Sequence, residues 1–284
     1  MLKACLNGTR RRDEHPAVPL TPAELAADAV RCAAAGVAAV HVHPRDDTGA
    51  ESLHPAVIAA AVTAIRASRP GLPVGVSTGA WIVPDPAERV AAVRAWTVLP
   101  DFASVNAHEP GAAQVAAALH ERGVMVEAGL WTPAAVDAWR RWSAPTGRIL
   151  VECMDEQVET ALADAAAILA ALPDQRPPVL LHGEGPATWP VYAEAVRRGL
   201  HTRIGLEDTL LLPDGTQAPD NATLVTTART LAPHCPPHPD RPCPVDHEVD
   251  GTCRPFCPGQ LHDRARQPHD RAGEWWAASM GEVA

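Results

Sequence analysis

The sequence predicts an α/β chain closed into a (β/α)8 barrel. Short apolar runs alternate eight times with amphipathic stretches. The loops between them are short, which favours parallel strands with the helices packed outside. Polar or charged residues recur at the C-terminal end of every apolar run, where a TIM barrel gathers its active site. A doubly wound open sheet shares the alternation. However, no Gly-x-Gly-x-x-Gly follows the first strand, so the dinucleotide-binding form of that fold lacks its fingerprint.

Each element follows from local chemistry. Residues 3–7 are the first strand. Thr21, Pro22 and Glu24 then open a helix: Thr21 is the N-cap, Pro22 takes the first helical position and Glu24 closes a capping box. That helix runs to about residue 35, and Gly36 stops it. The following strand–helix pairs are 37–43 with 55–67, 73–77 with 86–96, and 102–106 with 112–122. Next come 124–127 with 133–142, 148–153 with 157–172, and 178–182 with 187–198. The eighth pair is 202–207 with 221–231. The barrel domain therefore spans residues 1–232. Residues 233–284 change composition sharply towards Pro, His, Arg and Cys and show no helical or strand period. That tail reads as a disordered polar extension or an out-of-frame segment of a GC-rich gene. A small zinc module is a third reading, although C-x9-C-x3-C matches no standard ligand spacing.

Bulk composition narrows the function. Apolar residues make up 46% of the chain, enough for a large core. The net charge is −10 and no basic block exists, so a nucleic-acid partner is not expected. No apolar run reaches the ~18 residues of a membrane span, and residues 1–7 lack the features of a signal peptide. These features place the protein in the cytoplasm. Cys5, Cys32 and Cys153 lie in apolar segments and read as buried thiols. His15, His54 and His120 read as solvated, and Trp96, Trp139 and Trp142 as helix-packing anchors.

The strand ends carry the chemistry. They supply Asn7, then His41 and His43, then Ser77, then Ser104 with Asn106. Glu127, Glu152, His182 with Glu184, and Glu207 with Asp208 complete the ring. Residues two apart on a strand face the same side. His41 and His43 therefore offer two imidazole nitrogens to one point, and Glu207 is a suitable third ligand for a divalent metal. Two imidazoles bonded to backbone carbonyls are the alternative. Arg203 would keep Asp208 ionised and oriented as a general base beside a metal-bound carbonyl; a rim salt bridge is the alternative there. On residue types alone, a metal-dependent aldolase or hydrolase and a metal-binding regulatory protein remain open.

Several motifs resemble the β-keto acid cleavage enzyme family. They are ACLNG at 4–8, HVHPRD at 41–46, GVSTGAW at 75–81, ASVN at 103–106, VEAGLW at 126–131 and RIGLED at 203–208. The resemblance covers about residues 2–232. It implies a TIM barrel with a catalytic divalent metal, usually Zn2+, and acetyl-CoA as co-substrate. It also implies a homo-oligomer acting on a small-molecule β-keto acid, with acetoacetate and a new acyl-CoA as products. By resemblance, His41, His43 and Glu207 hold the metal, Asp208 is the base and Arg203 orients it. Ser77, Ser104, Asn106 and Glu127 match positions around the substrate. The implied chemistry has Asp208 take a proton from the methyl of acetyl-CoA, with Claisen and retro-Claisen steps following. One position departs from the family member acting on 3-keto-5-aminohexanoate: Arg10 stands where a glutamate meets that substrate's ammonium. A cation there favours a neutral or anionic β-keto acid. Solvation of Arg10–Arg12, or a contact with CoA phosphates, is the alternative.

Overall fold

The structure, a computed structural model, describes residues 1–231. The readings for the tail beyond the barrel lie outside these residues. Eight parallel strands form one sheet in the order β7-β6-β5-β4-β3-β2-β1-β8. They are β1 (Leu2–Cys5), β2 (Ala39–Val42), β3 (Val74–Ser77) and β4 (Phe102–Asn106), followed by β5 (Met125–Leu130), β6 (Arg148–Cys153), β7 (Val179–Gly183) and β8 (Thr202–Ile204). A parallel bridge between Leu180 and His201 joins the two end strands. The Thr202 hydroxyl donates to the Leu181 carbonyl across the same seam. The open-sheet alternative is thereby excluded.

The helices follow the strands in turn: α1 (Pro22–Ala34), α2 (Pro55–Ser68), α3 (Pro86–Ala95), α4 (Ala112–Glu121), α5 (Pro133–Trp139), α6 (Val158–Ala171), α7 (Thr188–Arg197) and α8 (Asn221–Leu231). The capping box at Thr21 and Glu24 is present. A 3-10 turn, Gly185–Ala187, precedes α7. Several boundaries differ from those read in the sequence, among them the end of β1 at Cys5 rather than residue 7 and three others that bear on the site. β5 continues past Glu127 to Leu130, because Ala128 and Leu130 are apolar and face the helices while Gly129 keeps the ladder with β6. β8 stops at Ile204, and Glu207 and Asp208 lie on the turn after it. His43 lies just past the end of β2.

Strand alternation divides the residues into two populations. One face of the sheet packs Ala4, Val40, Val42, Val74, Val76 and Val126 against the helices. The other face carries Lys3, His41, Glu127, Arg148, Glu152, His182 and Arg203 into the lumen, all of them buried. β1 and β5 stand four strands apart, so the 2.6 Å pair from Lys3 Nζ to Glu127 Oε2 crosses the barrel. Arg148 Nη1 binds the other Glu127 oxygen at 2.9 Å. The Lys3 ammonium also stands 5.2 Å from the centre of the Phe102 ring. Among the described residues, no helix is long and apolar enough to cross a membrane.

Removing one partner of a buried ion pair leaves an uncompensated charge. Glu127→Ala strips Lys3 of its counter-charge, so we expect a loss of roughly 3–5 kcal/mol in denaturant unfolding. Had Glu127 been a substrate contact alone, the midpoint would barely move.

Candidate active site

His41 and His43 project from the end of β2 to one side, as residues two apart must. Their Nε2 atoms lie 3.2 Å apart. Glu207 Oε2 sits 3.7 Å from His43 Nε2. One donor atom from each of the three falls within 4.8 Å of the others.

The surroundings fix this arrangement. The Asn7 side chain clamps the His43 backbone twice, donating Nδ2–H to its carbonyl and accepting from its N–H, both at 2.9 Å. Glu51 Oε2 lies 2.6 Å from His43 Nδ1. Burial tends to raise the Glu51 pKa, but the bond and charge of His43, with Trp81 and Arg45, together outweigh it and the net shift is downward. An ionised carboxylate only accepts, so Nδ1 carries the proton and Nε2 keeps its lone pair for a metal. The Trp81 indole donates to the same Glu51 oxygen at 3.2 Å. Its ring lies near-parallel to that of His43, with centroids 6.3 Å apart. Burial, with His43 and Lys3 adding to it, holds the His41 pKa well below its ordinary value. A neutral imidazole is the form a metal requires. Glu207 Oε2 is buried without a hydrogen-bond partner. Two imidazole Nε2 atoms and an orphaned carboxylate oxygen fit a divalent ion with open positions. Gly8 leaves the space for Glu207: at φ +51°, a Cβ would fall 2.4 Å from Glu207 Cγ.

Arg203 supports the acidic pair. Its Nε and Nη2 donate to Asp208 Oδ1 at 2.9 and 2.8 Å, and Nη2 also reaches Glu207 Oε1 at 3.0 Å. Asp208 is 1% exposed, and its Oδ2 has no partner. Burial pushes the Asp208 carboxyl up, against the opposing pull of Arg203 and His182. His182 joins two carboxylates, with Nε2 3.2 Å from Glu152 Oε2 and Nδ1 3.6 Å from Asp208 Oδ1. The structure thus gathers His41, His43, Glu207, Asp208 and Arg203 in one continuous cluster.

The other residues selected from the sequence divide. Ser77, Ser104 and Glu127 share a register row across β3, β4 and β5. Ser77 is buried, and its Oγ accepts from the Gly79 N–H at 3.3 Å. Asn106 is at the mouth and donates Nδ2–H to Glu109 at 2.9 Å. Glu127 is fully buried with both oxygens taken by Lys3 and Arg148, so it belongs to the lumen floor and not to a strand end. Arg10 lies in the loop after β1 and pairs with Glu14 at 3.0 Å. His15 is buried rather than solvated, with Nε2 2.8 Å from the Ala218 carbonyl, because the loop after β8 covers it. His54 and His120 are exposed as expected.

Sequence reasoning missed Lys3, Glu51 and Trp81. Glu51 lies in a loop rich in Asp, Thr and Gly, where one more acid carries no signal. Only the antiparallel bridge from Arg45 to Glu51 brings it back to His43. Trp81 was visible within its motif as an indole close after a strand end.

A family model described as beta-keto acid cleavage enzyme matches residues 1–239. Three solved structures resemble this one. ObcA bound to oxaloacetate aligns with TM-score 0.60 at 18% identity, over 76% of this chain and 63% of that one. ObcA in a ternary complex with a C4-CoA adduct and oxalate gives 0.61 at 17% identity, over 76% and 63%. A Type I 3-dehydroquinate dehydratase from Clostridium difficile gives 0.58 at 9% identity, over 81% and 91%. At these identities the likeness is one of fold. The present chain spans less than two thirds of the ObcA chains.

The Glu51–His43 bond has a measurable consequence. Glu51→Ala frees the His43 tautomer and ring, and divalent-metal affinity should fall by about 10–100-fold in competition with a chromogenic chelator. An unchanged affinity would remove Glu51 from the metal's support.

Proposed function

Because this chain belongs to the beta-keto acid cleavage enzyme family, we propose that it converts a β-keto acid and acetyl-CoA into acetoacetate and a new acyl-CoA. The observation that carries this reading is Asp208 next to the His41–His43–Glu207 cluster, with its Oδ1 held by Arg203 and its Oδ2 unpartnered. Metal binding alone has no use for a buried, cation-anchored carboxylate. The ObcA complexes give independent support, since oxaloacetate is itself a β-keto acid and the other complex holds a CoA adduct.

In this reading His41, His43 and Glu207 hold the ion, with Zn2+ the best match to two imidazoles and one carboxylate. When bound, it acts as a Lewis acid toward the β-keto acid's oxygens. The carbon count decides which proton Asp208 removes. The carboxyl end of acetoacetate is the CH2–COO of the keto acid. The nucleophile is therefore C2 of the keto acid, not the methyl of acetyl-CoA as the sequence reading had it. Asp208 Oδ2 takes the C2 proton. C2 bonds to the acetyl carbonyl carbon and the CoA thiolate leaves. The thiolate then adds to the original keto carbon, the C2–C3 bond breaks, and C2 recovers its proton from Asp208. Acyl-CoA and acetoacetate result, with atoms and charge balanced. Arg203 keeps Asp208 aimed throughout, and the near-complete burial of the pair strengthens that interaction. Ser77, Ser104 and Asn106 are assigned to substrate positioning.

Arg10 remains the best selector of acyl-chain charge. Its charge acts on Glu184, just past the end of β7, which supports a role near the mouth. Its pairing with Glu14 tempers the preference. We expect neutral or anionic chains to outperform 3-keto-5-aminohexanoate in a mass-spectrometric screen with acetyl-CoA; an amino substrate ranking first would contradict this role. Asp208→Asn should keep its bound metal while turnover falls by about 10²–10⁴-fold. Substrate consumption without acetyl-CoA would contradict the reaction and favour an aldolase or hydrolase.

A further inference from the structure

Across the mouth from the metal cluster, two oxygens converge on Gly129. A Cβ at this position would fall 2.3 Å from Glu152 Oε1 and 2.5 Å from Asn106 Oδ1. Glu152 took no role in the chemistry above, and Asn106 only a general one in substrate positioning. Their orientations are set from behind. Glu109 Oε1 accepts Nδ2–H of Asn106 at 2.9 Å, which turns the amide oxygen towards Gly129. Glu109 is itself held by the Ala80 N–H at 2.9 Å and by Arg89 at 3.4 Å, so the amide cannot reverse without stranding a buried carboxylate. Glu152 Oε2 is occupied by His182 Nε2, and Oε1 is left buried with no partner. Glu152 is 7% exposed and Asn106 6%. The cradle thus presents two acceptors, one of them a carboxylate oxygen without a hydrogen-bond partner. A buried acceptor left unmet is costly, and an alkyl chain placed there would leave the Glu152 oxygen stranded.

We propose that Asn106, Gly129 and Glu152 form a subsite for a hydroxylated acyl chain on the β-keto acid, an assignment that rests on the reaction given above and narrows its substrate class. The distance suits it. A single imidazole, His182, separates Glu152 from Asp208. A chain of a few carbons therefore reaches from the reacting carbon to the cradle. A hydroxyl donates to Glu152 without bringing a positive charge under Arg10, which weighs against an ammonium in the same place.

The test compares 3-ketohexanoate with its 5-hydroxy and 6-hydroxy forms, titrated calorimetrically into the zinc-loaded protein. At least one hydroxylated form should bind about tenfold tighter or more, as a hydrogen bond to a charged group allows. Gly129→Ala fills the cradle and should reduce that ratio to near one. Glu152→Gln, which keeps the shape but replaces an acceptor by a donor, should reduce it too if Gly129→Ala proves poorly folded. Equal affinities in the wild-type protein overturn the subsite. Turnover of the same acids with acetyl-CoA separates the two ideas. A binding preference without turnover sinks the reaction and spares the subsite; turnover of all three without preference does the reverse.

Discussion

The Lys3–Glu127 ion pair crosses the lumen and sets the floor on which everything above it stands. Closing eight strands forces one face of every strand inward, and here that face carries buried charges on β1, β5, β6 and β8. Such a lumen holds together only if its charges are matched. Lys3 and Arg148 meet Glu127 at the bottom, and Arg203 meets Glu207 and Asp208 higher up. The core that stabilises the fold by apolar burial lies elsewhere, between sheet and helices.

From that floor the mouth divides by strand. β2 and the turn after β8 supply nitrogen and carboxylate donors to one point. Arg203 on β8 ties this point to Asp208, and His182 on β7 bridges Asp208 and Glu152 on β6. β4 and β5 complete the circle with Asn106 and Gly129. The polar contacts from the metal ligands to Glu152 thus follow β2, the turn after β8, β8, β7 and β6 in turn.

Most of this was legible in the sequence. Helix caps such as Thr21–Glu24 and the period-two placement of His41 and His43 depend on near neighbours, so local chemistry predicts them. The strand-end rule located Glu152, His182, Glu207 and Asp208 before any coordinates. It failed for Glu127, where β5 continues three residues beyond the apparent end and an interior charge was taken for a mouth residue. It was silent on Lys3, because its partner is 124 residues away and visible only once the barrel closes. Glu51 and the buried His15 were missed for the same reason: each is defined by a loop folding back over the barrel, which no periodicity announces.

The central claim is that His41, His43 and Glu207 together hold one catalytic ion beside Asp208. Anomalous diffraction at the zinc absorption edge, from crystals of the zinc-loaded protein, tests it most directly. The account predicts one strong peak lying between the two Nε2 atoms and the Glu207 carboxylate. A peak at another group of side chains, or no peak from protein whose solution zinc content is stoichiometric with the chain, would contradict it.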